Sequence, residues 1–300
     1  MNKYMFSVVI STYNRAEFLT RALRSLVAQT YANFEVIVCD DGSTDQTKEV
    51  VESFKNKLNI KYIWEENYGG PARPKNNGIK AASGEWICFL DDDDWWYPNK
   101  LEIVSKYLNN GDIIYHDLHP FNPNGKKFRK IKGRKLKKPI FNNLMTQGNA
   151  LATSSVVVKK DILNIVGLFD EDKRLVALED YDAWLRISRK TDNFCYIREV
   201  LGAYWLDGAN IYRATEEQFK RIEFLYGRHL AFLSHEDRRL AEAIMSYRLG
   251  AIRWRNGLHD EAINLFKVSK DSKNMEIKIK SYIFLAYRYL PVIFHKFIKI

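Results

Sequence analysis

Cysteine is scarce in this chain: Cys39, Cys88 and Cys195 stand singly in apolar surroundings, and no CxxC pair occurs. That spacing excludes a disulfide framework and a thiolate zinc site, and leaves reduced core thiols of a cytoplasmic protein. Long apolar runs are missing too. No uninterrupted apolar segment reaches the roughly 20 residues that a bilayer-spanning helix needs. The N-terminal stretch MNKYMFSVVISTYN has a single lysine and a short apolar run that passes straight into polar residues. It lacks the longer apolar region and small-residue cleavage site of a signal peptide, and is expected to form a first strand. Internal repeats and collagen-like or disorder-like biases are absent as well.

What is present is a globular composition. The 300 residues are 46% hydrophobic, 14% aromatic and 28% charged, enough for one large domain with its own core, or for one domain with a helical appendage. A net charge of +10 implies an anionic partner, either nucleic acid, a phosphorylated small molecule or an acidic membrane surface.

Short runs of strand length and β-branched or aromatic content occur at residues 6–11 (FSVVIS), 35–40 (EVIVCD), 61–66 and 86–91 (WICFLD). Helical patterns separate them. Between the first two, Phe18, Leu19, Ala22, Leu23, Leu26 and Val27 share one helix face, with Arg15, Glu17, Arg21 and Arg24 mostly elsewhere. A second helix is expected after DDGSTDQT, where Ser43, Thr44 or Asp45 can cap it. A third follows GGPARPKNNG, with Pro71 or Pro74 near its first turn. This alternation predicts an α/β fold, a mostly parallel Rossmann-like sheet flanked by helices. Further strands are expected at 112–117, 154–158, 193–197 and 202–206, and a helix at 178–189. From Thr215 onward the pattern is helical, with Gly257 separating two amphipathic helices.

Ligands of an open parallel sheet collect at the carboxyl ends of its strands, where the polar clusters 12–14, 40–43, 67–73 and 91–94 all fall. The last is the sharpest, DDDDWW. Asp91 and Asp93 share a face of the strand, and clustered carboxylates repel unless a cation neutralises them. An Asp-x-Asp pair there suits Mg²⁺ or Mn²⁺ carrying a diphosphate; the alternative is a solvated acidic turn with Asp94 capping a helix near Pro98. Asp40 is either a turn residue or an acceptor for a base N–H, which uracil and thymine offer at N3 and cytosine lacks. Arg73, after Gly69 and Gly70, is either a surface arginine or a fork onto a phosphate or ribose oxygen.

The ordered set SVVISTYNR, QTYANFEVIVCDDGSTDQT, ENYGGPARPKNNGI, ASGEWICFLDDDDWWYPNKL, VGLFDE and EDYDAWLRI, spanning residues 5–206, resembles the family 2 glycosyltransferases of the GT-A fold that assemble bacterial glycans and polysaccharides. The resemblance implies an inverting, metal-dependent hexosyl- or N-acetylhexosaminyltransferase. Such an enzyme moves a sugar from a nucleoside diphosphate, UDP foremost, to a hydroxyl of a glycan or polyprenyl-linked oligosaccharide. By that resemblance Thr12, Tyr13, Asn14 and Asp40 line the base pocket, Arg73 contacts the nucleotide, Asp91 and Asp92 lie on its ribose side, and Asp93 holds Mn²⁺ or Mg²⁺. Asp180 matches the general base, and Glu179, Trp95 and Trp96 are candidates for the acceptor side. One carboxylate suffices for a single displacement, because the acceptor hydroxyl must lose its proton on the face opposite the leaving group. Without the resemblance, Glu179 and Asp180 read as the acidic first turn of a helix.

Two departures stand out. The family often carries Asn or Arg after the arginine, where this chain has Pro74, Lys75 and Asn76. Many members place a histidine after the last strand, where AYWLDGAN offers Asp207, either a further metal- or phosphate-side ligand or a turn residue. Residues 1–212 are expected to form the catalytic domain and 213–300 a helical region able to rest on a membrane. The basic run at 126–138 is a solvated loop, an arm for a phosphate-bearing acceptor or a contact with anionic membrane. The tail KIKSYIFLAYRYLPVIFHKFIKI, broken by Pro291, either packs on the catalytic domain or anchors at the inner face of the cytoplasmic membrane. Nucleic acid is not expected as a partner, since a nucleic-acid-binding module leaves the acidic clusters unexplained. A nucleotidylyltransferase would want a glycine-rich loop after the first strand, and STYNRAEF has no glycine. A catalytically silent nucleotide-binding relative is the remaining alternative.

Overall fold

The computed structural model describes residues 6–122, 133–206 and 214–287. Strands β1 (Phe6–Thr12), β2 (Phe34–Asp40), β3 (Ile60–Trp64) and β4 (Trp86–Phe89) alternate with helices α1 (Ala16–Val27), α2 (Thr47–Phe54) and α3 (Ala72–Ala81). Then come β5 (Trp95–Trp96), α4 (Lys100–Ser105), β6 (Ile113–Phe121), α5 (Ile140–Gln147), β7 (Val157–Lys159), α6 (Lys160–Val166), α7 (Glu179–Ser188) and β8 (Phe194–Trp205). Helices α8 (Glu216–His229), α9 (His235–Arg255), α10 (His259–Ser269) and α11 (Met275–Tyr287) follow. The strands form one sheet in the order β3-β2-β1-β4-β7-β6-β8-β5. Its first four strands are parallel, as is the β6/β8 pair; β7 runs antiparallel to β4 and β6, and β5 to β8. Parallel neighbours need crossovers, which α1, α2 and α3 supply.

Val8, Ile10, Val36 and Val38 pack with Leu19, Leu23, Leu26 and Val51 in one buried cluster between the sheet and the helices α1 and α2. Each such side chain contributes about 1.5–3 kcal/mol on burial. On the other face α3 lies so close that a Cβ on Gly78 would come within 2.5 Å of Val9 Cγ1. The central strands are thus covered on both sides, which is why they read as continuous apolar runs. The α1 stripe buries Leu19, Ala22, Leu23 and Leu26, whereas Val27 at its end is 42% exposed.

Two expectations change. Residues expected as a strand at 154–158 form a 3₁₀ turn (Thr153–Ser155) before β7; the Ser154 hydroxyl there accepts the Asp91 N–H at 3.0 Å. The two short strands expected at 193–197 and 202–206 are one strand, β8. Exposed Arg198 and Glu199, which interrupt the apolar pattern, sit in a bulge where the register steps from His116↔Ile197 to Asp117↔Val200.

The chain divides into two compact units, Met1–Ile140 with Ala150–Ile211, and Phe141–Asn149 with Tyr212–Ile300. In the second unit Thr215 and Ser234 cap α8 and α9 by accepting the N–H groups of Gln218 and Asp237. Gly257 (φ +78°) separates α9 from α10, and Phe266 stacks on Phe284 with centroids 4.4 Å apart. No described helix is long and apolar enough to cross a membrane. Asp207, most of the basic run and the end of the aromatic tail lie outside the described residues.

Candidate active site

Because β1, β2 and β4 run parallel, their carboxyl ends deliver three polar loops to one edge of the sheet. Thr12 ends β1 and donates its hydroxyl hydrogen to Asp92 Oδ2 at 2.8 Å. Asn14, with a left-handed φ of +51°, bonds to the loop after β2: its N–H donates to Ser43 Oγ and its Oδ1 accepts from Thr44 N–H, both at 2.8 Å. Tyr13 beside it is 48% exposed. Asp45 proves to be the cap for two helices, accepting the N–H of Ala16 at the start of α1 (3.0 Å) and of Thr47 at the start of α2 (3.1 Å). A negative charge there complements both helix dipoles.

Asp40 ends β2 almost fully buried; Oδ1 accepts the Ser43 N–H at 2.7 Å and Oδ2 the Tyr62 hydroxyl at 2.5 Å. Next to it, the Asp41 carboxylate gathers the N–H groups of Tyr68, Gly69 and Gly70 at 2.9, 3.1 and 3.4 Å. Gly42 (φ +86°) permits this approach, since a Cβ there would lie 2.7 Å from Asn67 N. The end of β2 therefore shapes the glycine loop ahead of Arg73. Arg73 itself stacks on the Tyr68 ring, 3.5 Å from its centroid, and donates from Nε to Glu171 Oε2 at 2.9 Å.

The four aspartates have four different environments. The Asp91 side chain is 31% exposed and has Lys75 at 3.7 Å. Asp92 is buried and shares the Arg15 guanidinium with Asp93, at 3.1 and 2.8 Å. Burial and the neighbouring Asp93 push the Asp92 carboxyl up to about 7, against the pull of Arg15 and Thr12. Asp94 is fully buried and accepts the Trp205 N–H at 2.8 Å, so it does not cap α4. Burial beside Asp93 and Asp91 holds its pKa well above the usual carboxylate range. Of the two tryptophans, Trp96 lies in the core, 2% exposed, with its indole N–H on Ser154 O at 2.8 Å; it supports the edge from below and cannot line an acceptor channel. Trp95 is half-buried against Arg21, whose guanidinium lies 4.3 Å from its ring and 4.2 Å from that of Trp205.

Lys75 joins this edge to α7. It is buried, with Nζ 3.0 Å from Glu179 Oε1 and 3.7 Å from Asp91 Oδ1. Burial alone would depress its pKa, but Glu179, Asp91 and Asp180 outweigh it and keep the ammonium charged. Asp180, in the first turn of α7, accepts the Thr153 hydroxyl at 3.0 Å. Burial, then Glu179, raise its carboxyl to about 6 with Lys75 opposing; a carboxyl titrating there can accept a proton near neutral pH. Ala177, just before the acidic pair, has a left-handed φ of +66°, strain of the kind that collects at functional sites.

Thr12, Asp91, Asp92, Asp93, Glu179 and Asp180 are thus linked through Arg15 and Lys75, and Thr12, Asn14 and Asp40 through the loops after β1 and β2. Arg15, Asp41, Lys75 and Glu171 had no assigned role in the sequence. Among the described residues no three His, Cys, Asp or Glu side chains converge as a metal cluster. The donors at the end of β4 are nonetheless all oxygen, and a hard divalent ion that also binds substrate phosphates needs only one or two carboxylates. Asp93, its side chain 14% exposed, fits that mode; the more deeply buried Asp92 and Asp94 do not.

A family model described as Glycosyl transferase family 2 matches residues 7–164. An uncharacterised glycosyltransferase of Rickettsia typhi is 32% identical over 247 residues, 78% of this chain and 74% of that protein. The UDP-Glc:alpha-D-GlcNAc-diphosphoundecaprenol beta-1,3-glucosyltransferase of Escherichia coli is 33% identical over 189 residues, 62% of this chain and 71% of that protein. Among solved structures, Staphylococcus aureus TarS (1–349) in complex with UDP-GlcNAc matches with a TM-score of 0.69 at 19% identity, over 95% of this chain and 92% of that one.

Proposed function

The chain belongs to glycosyl transferase family 2 and has the GT-A fold, and on that premise we propose that it transfers a sugar from a UDP-sugar to a hydroxyl of a glycan or lipid-linked glycan, with inversion at the anomeric carbon. The Lys75 junction carries this reading. One buried ammonium, 3.7 Å from Asp91 and 3.0 Å from Glu179, ties an aspartate suited to a donor's ribose to the helix turn that bears Asp180, a carboxyl raised to about 6.

In the proposed complex Asp40 accepts the N3–H of uracil, with Thr12, Tyr13 and Asn14 around the base. Arg73 meets the phosphates, Asp91 the ribose, and Asp92 braces this side through Thr12 and Arg15. A Mg²⁺ or Mn²⁺ ion held at Asp93 would offset the negative charge that gathers on the departing diphosphate. Asp180 takes the proton of the acceptor hydroxyl as that oxygen forms its bond to the anomeric carbon. The bond from that carbon to the diphosphate oxygen breaks on the opposite face, and UDP leaves with the electron pair. Lys75 and Glu179 set the affinity of Asp180 for that proton, and Trp95 offers an aromatic wall on the acceptor side. The names of the relatives support this choice of substrates: the E. coli protein is named for UDP-Glc and a diphosphoundecaprenol-linked sugar, and TarS binds UDP-GlcNAc. A lipid-linked acceptor would hold the enzyme at the inner face of the cytoplasmic membrane, with residues 1–212 as the catalytic part.

Calorimetry of UDP, dTDP, GDP and CDP, with and without Mn²⁺, on wild type and Asp93→Ala tests the donor side. Metal-dependent UDP binding that the substitution abolishes supports the proposal; no nucleotide binding with either protein rejects it.

A further inference from the structure

Glu171 has no part in the chemistry above, yet three bonds tie it to the donor edge. Its Oε2 accepts from Arg73 Nε and its Oε1 from Asn76 Nδ2, both at 2.9 Å, so one carboxylate holds two residues of α3. Its backbone carbonyl accepts the Tyr68 hydroxyl at 3.1 Å, and the Tyr68 ring is the surface on which the Arg73 guanidinium lies. The chain reaches Glu171 through a constrained turn. Gly167 and Leu168 both have left-handed φ, +81° and +63°, and a leucine holds that conformation only where its surroundings enforce it. Asn76 does so by two bonds to the next residue, accepting the Phe169 N–H at 3.0 Å and donating to its carbonyl at 2.9 Å.

A surface arginine normally samples many rotamers. Here stacking fixes the guanidinium plane and the Nε bond fixes its rotation in that plane, while the two terminal nitrogens have no hydrogen-bond partner among the described residues. We propose that Glu171 is a positioning residue: acting through Arg73 and the Tyr68 platform, it presets a guanidinium fork for the phosphates of the nucleotide, an inference that rests on the donor site proposed above. The fork is ordered when the protein folds, so less freedom is lost when the donor binds. Glutamine at 171 keeps the shape but turns an N–H₂ toward Arg73 Nε or Asn76 Nδ2, where only acceptors fit.

Calorimetry with UDP and with uridine, in Mn²⁺, on wild type, E171Q, R73A and the double variant tests this. UDP affinity is expected to fall about 5- to 10-fold in E171Q and about 10- to 100-fold in R73A. The double variant should be no weaker than R73A, because both act through one group. Uridine, which has no phosphate, should bind wild type and E171Q alike. Equal loss of uridine and UDP in E171Q, additive losses in the double variant, or unchanged UDP affinity in E171Q overturns the positioning role. E171D, which keeps the charge but retracts it by one methylene, should show the same selective loss and covers poor folding of E171Q. Failure of wild type itself to bind UDP removes the donor site, and this inference with it.

Discussion

Replacing Lys75 by methionine removes a buried cation while keeping most of its volume. Glu179, 4% exposed, then loses the ammonium 3.0 Å from Oε1, and its Oε2 already has no hydrogen-bond partner among the described residues. Breaking a buried pair on one side costs about 3–5 kcal/mol. At about 2–4 °C per kcal/mol for a chain near this size, the unfolding midpoint at pH 7.5 is expected to fall by about 6–20 °C. Asp180 responds as well. Its carboxyl stands at about 6 because burial and Glu179 raise it while Lys75 holds it down; without Lys75 it moves higher, and the acidic limb of kcat/KM, which reports ionisation of the base, moves to higher pH. Adding Glu179→Gln removes the stranded charge and one of the groups that raise Asp180, so the double variant should recover most of the lost stability and return the limb toward wild type. Thermal melts and pH–rate profiles on the three proteins check this. An unchanged midpoint, or a limb that moves to lower pH in K75M, would show that Lys75 does not hold this acidic pair.

Asp180→Asn is expected to lower kcat by about 10²–10⁴-fold with UDP affinity retained, measured by turnover and calorimetry. Because the Asp180 carboxyl is raised from 3.8 to about 6, its contribution to stability is full below about pH 4 and lost as the pH rises through about 6; asparagine should therefore add about 2–3 kcal/mol at pH 7.5, and a lowered midpoint there contradicts the assignment. Lys100 is fully buried, 3.4 Å above the Trp96 ring, without a hydrogen-bond partner among the described residues, and burial pushes it down from 10.5 to about 8. Its charged form is disfavoured in the fold, so wild-type stability should rise between about pH 8 and 10.5; with the ring offsetting part of the penalty, Lys100→Met should gain about 1–3 kcal/mol at pH 7 and lose that rise in denaturant titrations. Tyr62→Phe removes the hydroxyl that holds Asp40 Oδ2; UDP should bind about 3- to 10-fold more weakly and CDP equally well, and a loss shared by both nucleotides would separate Asp40 from base recognition.

The parallel half of the fold was legible because β1, β2 and β4 are buried on both faces and the helices α2 and α3 follow capping or proline signals. Val8, Val36 and Cys88 need no distant partner to be read as strand interior, and Pro71 marks the start of α3 wherever the sheet lies. The other half depends on partners far away in the chain. Whether Arg198 and Glu199 end a strand or bulge within it is decided by β6, some eighty residues earlier, whose register slips to pass them. Ser154 looks like strand until Asp91 claims its hydroxyl across 63 residues.

The site divides along the same line: its charges were visible one by one, and their couples were not. Lys75 and Glu179 are 104 residues apart, Arg73 and Glu171 98, Arg15 and Asp93 78, so no local pattern pairs them. One signal for Lys75 was nevertheless present. Ala72, Lys75, Asn76 and Ile79 stand at i, i+3, i+4 and i+7, the buried face of α3, and all four are buried. A lysine on such a face must find a carboxylate or lose its proton, which turns Pro74-Lys75-Asn76 from a departure into a prediction of an acidic partner. The four aspartates obey the same rule. A run of like charges at one strand end is tolerated because each member meets a different condition: Asp91 faces Lys75, Asp92 and Asp93 divide Arg15, and Asp94 is fully buried on the Trp205 N–H with its pKa raised. What reads in the sequence as an excess of negative charge is in the fold partly offset by Arg15 and Lys75, and Asp93, the less enclosed partner of Arg15, is the oxygen donor proposed above for an added cation.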